Sequence, residues 1–134
     1  MPAVSGRHNG RQIIVAAFVA PPLDAQRFDL LQVSALVDTG ASRSLVTRDS
    51  AQRLGLPPRG KHPLVSARAT ELVDRYAFRI GFRVDETLGP WFLDVDLVGS
   101  EFRSQTDFQV IIGMAVLRTG TLQLWPDGRF RFAF

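Results

Sequence analysis

A few acids and two histidines bound the chemistry open to this chain. Asp38 follows the apolar run Ala35-Leu36-Val37 and precedes Thr39-Gly40-Ala41-Ser42. A buried strand that ends in an acid, a hydroxyl and a glycine delivers one carboxylate into a tight turn. A carboxylate so placed can act as a general acid or base, or can accept backbone hydrogen bonds in an ordinary turn. Asp94 and Asp96 fall in an apolar-alternating segment, Trp91 to Val98. They share one face opposite Leu93, Val95 and Leu97, and read as its solvated side rather than as an acid-base pair. His8 and His62 stand near no nucleophile motif and make no zinc constellation. The chain has no cysteine, which removes thiol nucleophiles, disulfides and cysteine metal sites. No metal or organic cofactor is expected.

A second apolar segment ending in glycine, Val110-Ile111-Ile112-Gly113, comes much later and leads into Met114-Ala115-Val116-Leu117. Leu36-Val37-Asp38-Thr39-Gly40-Ala41-Ser42, paired with Ile111-Ile112-Gly113, resembles the retropepsin-like aspartic proteases. These are single-lobe relatives of pepsin that include retroviral proteases and bacterial homologues. The resemblance runs from about Arg11 to the end of the chain. It implies an all-β fold, a closed barrel or sandwich with one or two short helices, acting as a homodimer on polypeptide substrates. It further implies that Asp38 is the catalytic acid, that Thr39, Gly40 and Ala41 build its loop, and that Ser42 borders it. Ile111, Ile112 and Gly113 would form the supporting segment beneath. By position, Ser66, Ala67, Arg68, Ala69 and Thr70 would be the flap that closes over substrate. This tip has no glycine, and an ordinary hairpin corner at Arg68 is the alternative. Met114-Ala115 also supplies no carboxylate where many relatives carry Arg-Asp, Arg-Asn or Met-Asp.

One carboxylate cannot serve as base and acid at once. Two in close contact cannot both ionise, so one keeps its proton and the pair performs both tasks. The chain carries a single Asp-Thr-Gly. The second carboxylate is therefore expected from an identical chain across a two-fold axis, which sets the same residue opposite itself. The alternative reading is a catalytically inactive module of the same fold that binds peptides or only dimerises.

The elements that must position Asp38 fit one modest core. At 134 residues and 46% hydrophobic, the chain is too short for a duplicated two-lobed protease. Residues 1–10 read as a flexible N-terminus, and 11–134 as a single domain. The net charge of +3 invites a nucleic-acid reading, but the arginines are spread among acids from Arg7 to Arg131. Neither nucleic acid nor membrane is an expected partner, because no basic cluster, recognised motif or long apolar span is present. Cytoplasm is the default location.

Ile13 to Ala20 predicts a buried strand ended by Pro21-Pro22. A loop through Asp29 follows, either bordering the cleft or idle, and leads to the strand Leu30 to Val37. Thr47 to Leu54 predicts a short helix, with Thr47 as N-cap and Gly55 as stop. Phe78, Ile80, Phe82 and Val84 alternate with polar or small residues as a half-buried strand should. Gly99 to Thr106 reads as a loop, Asp107 to Ile112 as a strand and Met114 to Leu117 as a helix start. Thr121 to Trp125 and Arg129 to Phe134, around Asp127-Gly128, read as a closing hairpin. Phe130, Phe132 and Phe134 share one face of it. Their main expected role is core packing, with dimer contact as the minor alternative.

Overall fold

The computed structural model describes residues 2–65, 67, 69–84, 90–93, 97–103 and 107–134. Strands dominate. Those that build the site are β2 (Ile14–Ala20), β3 (Leu31–Val37), β4 (Leu45–Thr47), β6 (Thr70–Arg83), β8 (Leu97–Phe102) and β9 (Val110–Ile112). They pair in the order β2-β3-β9-β4-β8-β6, and β6 returns to β2, which closes a barrel. Closure leaves these six strands no free edge among themselves. β5 (Lys61–Val65) and β7 (Pro90–Phe92) attach to the long β6. Its middle and C-terminal part supply Phe78, Ile80 and Phe82, all essentially inaccessible and central to the core.

Asp38 owes its position to one feature of this order. β9 lies between β3 and β4, parallel to the first and antiparallel to the second. The chain leaving β3 must therefore cross the end of β9 before it returns as β4. Residues 38–44 make that crossing, directly over Gly113.

α1 (Arg48–Arg53) starts as expected, with Thr47 as N-cap accepting from the Ser50 N–H. At its end the Gly55 N–H donates to the Gln52 carbonyl and the Leu56 N–H to that of Ala51. This is a Schellman closure, and it requires the left-handed φ of 67° that Gly55 supplies. α2 (Met114–Leu117) follows β9 at once. The loop after β2 contains a short 3-10 turn, Leu23–Ala25. Arg27 pairs with Asp29 and donates to the Leu54 and Gly55 carbonyls at the end of α1. The loop thus braces α1. It joins β3 at the end opposite Asp38, roughly 20 Å of strand away, so it does not border the cleft.

Three expectations are corrected. Ala3–Arg7 does not form a mobile tail but a strand, β1, paired with β11 (Arg129–Ala133), which also pairs with β10 (Thr121–Leu124). The polar look of Val4-Ser5-Gly6 hides the reason: Gly6 lies against the Phe130 ring, where a Cβ would come within 2.8 Å. Gly99 to Phe102 is strand rather than loop. A Cβ at Gly99 would meet the Ser44 carbonyl oxygen at 2.4 Å, so the glycine marks close packing and not a turn. β9 begins at Val110, later than Asp107. Residues 85–89 and 94–96, including Asp94 and Asp96, lie outside the described residues. The terminal hairpin forms as expected, with Phe130 and Phe132 buried and the Phe132 ring against Phe82.

An ion pair between a buried Glu101 and an exposed Arg48 ties α1 to the barrel. Glu101 on β8 is 4% exposed. Arg48 donates to it through Nη2 (2.7 Å) and Nε (3.2 Å), and the Tyr76 hydroxyl donates to Oε2 at 3.2 Å. The Arg48 hydrogen bonds hold the Glu101 carboxyl below its usual range against the opposing pull of burial. Burial first, and then the Glu101 charge, push the Tyr76 phenol up to about 12, so it remains a donor. A depressed carboxyl stabilises the fold above the ordinary carboxylate range, and that stability is lost as pH falls through the folded value. In Arg48→Ala the sign reverses, because burial raises the carboxyl and its ionisation then opposes folding. The expected loss is about 2 kcal/mol near neutral pH, shrinking toward zero only as pH falls through the depressed carboxyl of the wild-type protein, where Glu101 is protonated with or without Arg48. Urea denaturation of both proteins at several pH values checks this, and a loss independent of pH would show that Arg48 acts through packing alone.

Candidate active site

Asp38 is the first residue beyond β3. Its backbone N–H donates to the Ile112 carbonyl at 2.9 Å, and the preceding Val37 N–H donates to that of Ile13, also at 2.9 Å. The two bonds fix the residue between β9 and the segment leading into β2. The residue is half-buried, and its Oδ1 accepts the Gly40 N–H at 2.8 Å. The Ala41 N–H closes the turn on the Asp38 carbonyl at 3.3 Å. Thr39 and Gly40 are exposed at the tip.

The loop is clamped from below by α2. The Met114 N–H donates to the Ala41 carbonyl (2.7 Å) and the Ala115 N–H to that of Ser42 (3.1 Å). The Gly113 N–H donates to the hydroxyl of Ser44, which is 2% exposed. Asp38 is thus tied to Ile112, Ala41 and Ser42 to the start of α2, with Ala41 packed over Gly113, while Thr39 and Gly40 form the exposed tip; Ile111 pairs with Leu36 and Leu45 on either side. Ser44 was not singled out in the sequence. The available signal was a small hydroxyl residue immediately before an apolar strand, which is weak by itself.

A groove of about 570 Å³ opens at Asp38 and Thr39. Ile13, Val37, Leu122, Leu124 and Trp125 give it an apolar lining, and the 8–12 segment forms another part of its edge. Among the described lining residues Asp38 is the only carboxylate. A second hollow of about 350 Å³ lies beside Arg48, Glu71 and Glu101 and does not include Asp38. Its buried acid is already committed to Arg48 and Tyr76. Among the described residues no three His, Asp or Glu side chains are grouped to hold a metal ion, and no helix is long and apolar enough to cross a membrane.

The expected flap falls at the tip of the β5–β6 hairpin. Ser66 and Arg68 lie outside the described residues. Thr70 pairs with Val65 at the base of the tip, and Ala67 and Ala69 lie between. Val65 and Leu72 on this arm are 74% and 69% exposed, so it carries uncovered apolar side chains.

A family model for aspartyl proteases matches residues 24–116, a span that contains both Asp38 and Gly113. The chain belongs to the aspartyl protease family. Among solved structures, a retropepsin-like aspartic protease from Rickettsia conorii is similar at 16% sequence identity and a TM-score of 0.62, over 97% of this chain and 89% of that one. The two share the retropepsin-like fold. Among curated proteins no match is found.

Proposed function

We propose that the protein is an aspartic endopeptidase in which two copies of the chain each contribute one Asp38 to a shared dyad. One observation carries this reading: Asp38 is held by backbone hydrogen bonds at the opening of an apolar groove whose described lining offers no second carboxylate. A two-fold axis beside the groove would set Asp38 opposite its own copy. The ionised member takes a proton from water as the water oxygen attacks the peptide carbonyl carbon. The protonated member donates to the carbonyl oxygen. As the tetrahedral intermediate collapses, one of its hydroxyls returns a proton to the carboxylate that had donated while the carbonyl re-forms and the C–N bond breaks, and the amine leaves with the proton taken from water. The apolar lining suits an extended peptide with hydrophobic side chains at the cut. Residues 66–70 are the segment proposed to close over it and exclude water.

The test is cleavage of a denatured protein from acid to neutral pH, with oligomeric state measured on the same samples. Specific activity should rise with protein concentration in step with the dimer fraction. Full activity in a stable monomer would eliminate the shared dyad. A folded dimer that binds statine-type inhibitors but cleaves nothing at any pH would leave a peptide-binding module.

A further inference from the structure

The groove at Asp38 also contains a cation with no ion-pair partner among the described residues. Arg11 lines it and is exposed. Among the described residues no carboxylate forms an ion pair with its guanidinium; the pairs present engage Arg27, Arg48, Arg59, Lys61 and Arg129. His8, at the same edge, is committed. Its Nδ1 accepts the Gly10 N–H at 3.1 Å, which leaves Nε2 to donate to the Trp125 carbonyl at 2.9 Å.

Arg11 is presented by a braced loop. The Asn9 side-chain oxygen accepts from the N–H groups of Arg11 (2.9 Å) and Gln12 (2.7 Å), and the His8 N–H donates to the Gly128 carbonyl at 2.7 Å. Bracing the backbone reduces the ordering cost of any contact the side chain makes. The pairing bounds its distance from the proposed chemistry. The Ile13 carbonyl accepts the Val37 N–H one residue before Asp38, and Arg11 lies two residues further back, at most roughly 7 Å of chain, in the turn that the Asn9 N–H closes on the Gln12 carbonyl. An extended substrate covers that distance in two or three residues.

We propose that Arg11 is a specificity-determining residue, selecting polypeptides that carry Asp or Glu two or three residues from an apolar residue at the cut. The inference rests on the peptidase reading above. A guanidinium is a planar donor fork that matches a carboxylate, and an ionised peptide side chain is the anion such a substrate can offer. In the two-fold assembly each copy supplies one Arg11, so an acid on either side of the cut meets one.

The test uses peptides with a fixed apolar cut site and one Glu moved through the flanking positions, each paired with a Gln counterpart, at a pH where Glu is ionised. For the wild-type protein, kcat/KM should favour Glu over Gln about fivefold at a position two or three residues from the cut. The preference should fade at high salt. Arg11→Glu should lose it and favour Lys at that position instead. Equal cleavage of both peptides by wild type, a Glu preference retained in Arg11→Glu, or conversion of that variant to monomer would each overturn the inference, the last by making Arg11 an interface group. Fluorescence anisotropy of the same peptides on Asp38→Asn reads the preference without catalysis. Absence of all cleavage would therefore sink the peptidase reading, while a Glu-over-Gln binding difference that Arg11→Glu reverses would still support Arg11 as a carboxylate reader.

Discussion

Asp38→Asn should lower the rate of peptide cleavage by at least about 10³-fold while leaving the fold intact. The substitution keeps the shape of the side chain, and the Asn carbonyl oxygen can still accept the Gly40 N–H that Oδ1 now receives at 2.8 Å. What disappears is a group able to take and return a proton. The carboxylate makes no ion pair among the described residues, so stability should change by less than about 1 kcal/mol. Preserved Tm with lost activity separates a chemical role from a structural one. A mixing experiment then tests whether the dyad spans two chains. With roughly a threefold excess of Asp38→Asn over wild type and free subunit exchange, activity per wild-type chain should fall to about a quarter, because most wild-type chains then have an inactive partner. Unchanged activity per wild-type chain would mean that each chain works with a carboxylate of its own. Retention of substantial activity by the pure variant would remove Asp38 from the chemistry.

Much of this site was legible in the sequence because its parts are local. Asp38 stands where an apolar run stops, and Gly113 stands where another stops. The strand Ile14–Ala20, the capped helix after Thr47 and the hairpin around Asp127-Gly128 also carry their signals within a few residues. What stayed hidden depends on contacts distant in sequence. Gly6 and Gly99 look like breakers, yet each sits in a strand because a phenylalanine ring or a crossing backbone occupies the space of a side chain. Glu101 looks like an ordinary surface acid, and only the pairing of β4 with β8 brings it beneath Arg48. The groove edge at residues 8–12 was equally obscure. A short polar segment gives no periodic signal, and its bracing comes from Trp125 and Gly128 at the far end of the chain.

Gly113→Ala should destabilise the protein by about 3 kcal/mol and remove activity with it. The cause is space, since φ at Gly113 is −97°, a value that alanine adopts freely. A Cβ there would lie 2.4 Å from the Arg43 carbonyl oxygen and 2.7 Å from that of Ala41. Both are backbone atoms of the loop that crosses over β9, so no rotamer change relieves the contact. The loop must lift. Lifting it strains the Met114–Ala41 and Ala115–Ser42 bonds and the Gly113–Ser44 bond, which together hold residues 38–44 on α2. The same shift would move Asp38, whose N–H is tied to Ile112 on the adjoining strand. Gly60→Ala is the matched control: its φ of 91° disfavours alanine, but nothing lies within 4 Å of the added carbon. It should cost about 1 kcal/mol and leave cleavage unchanged. Denaturant titration and cleavage assays on both variants provide the comparison. If Gly113→Ala cost no more than Gly60→Ala, or kept wild-type activity, close packing beneath the loop would not be what positions Asp38.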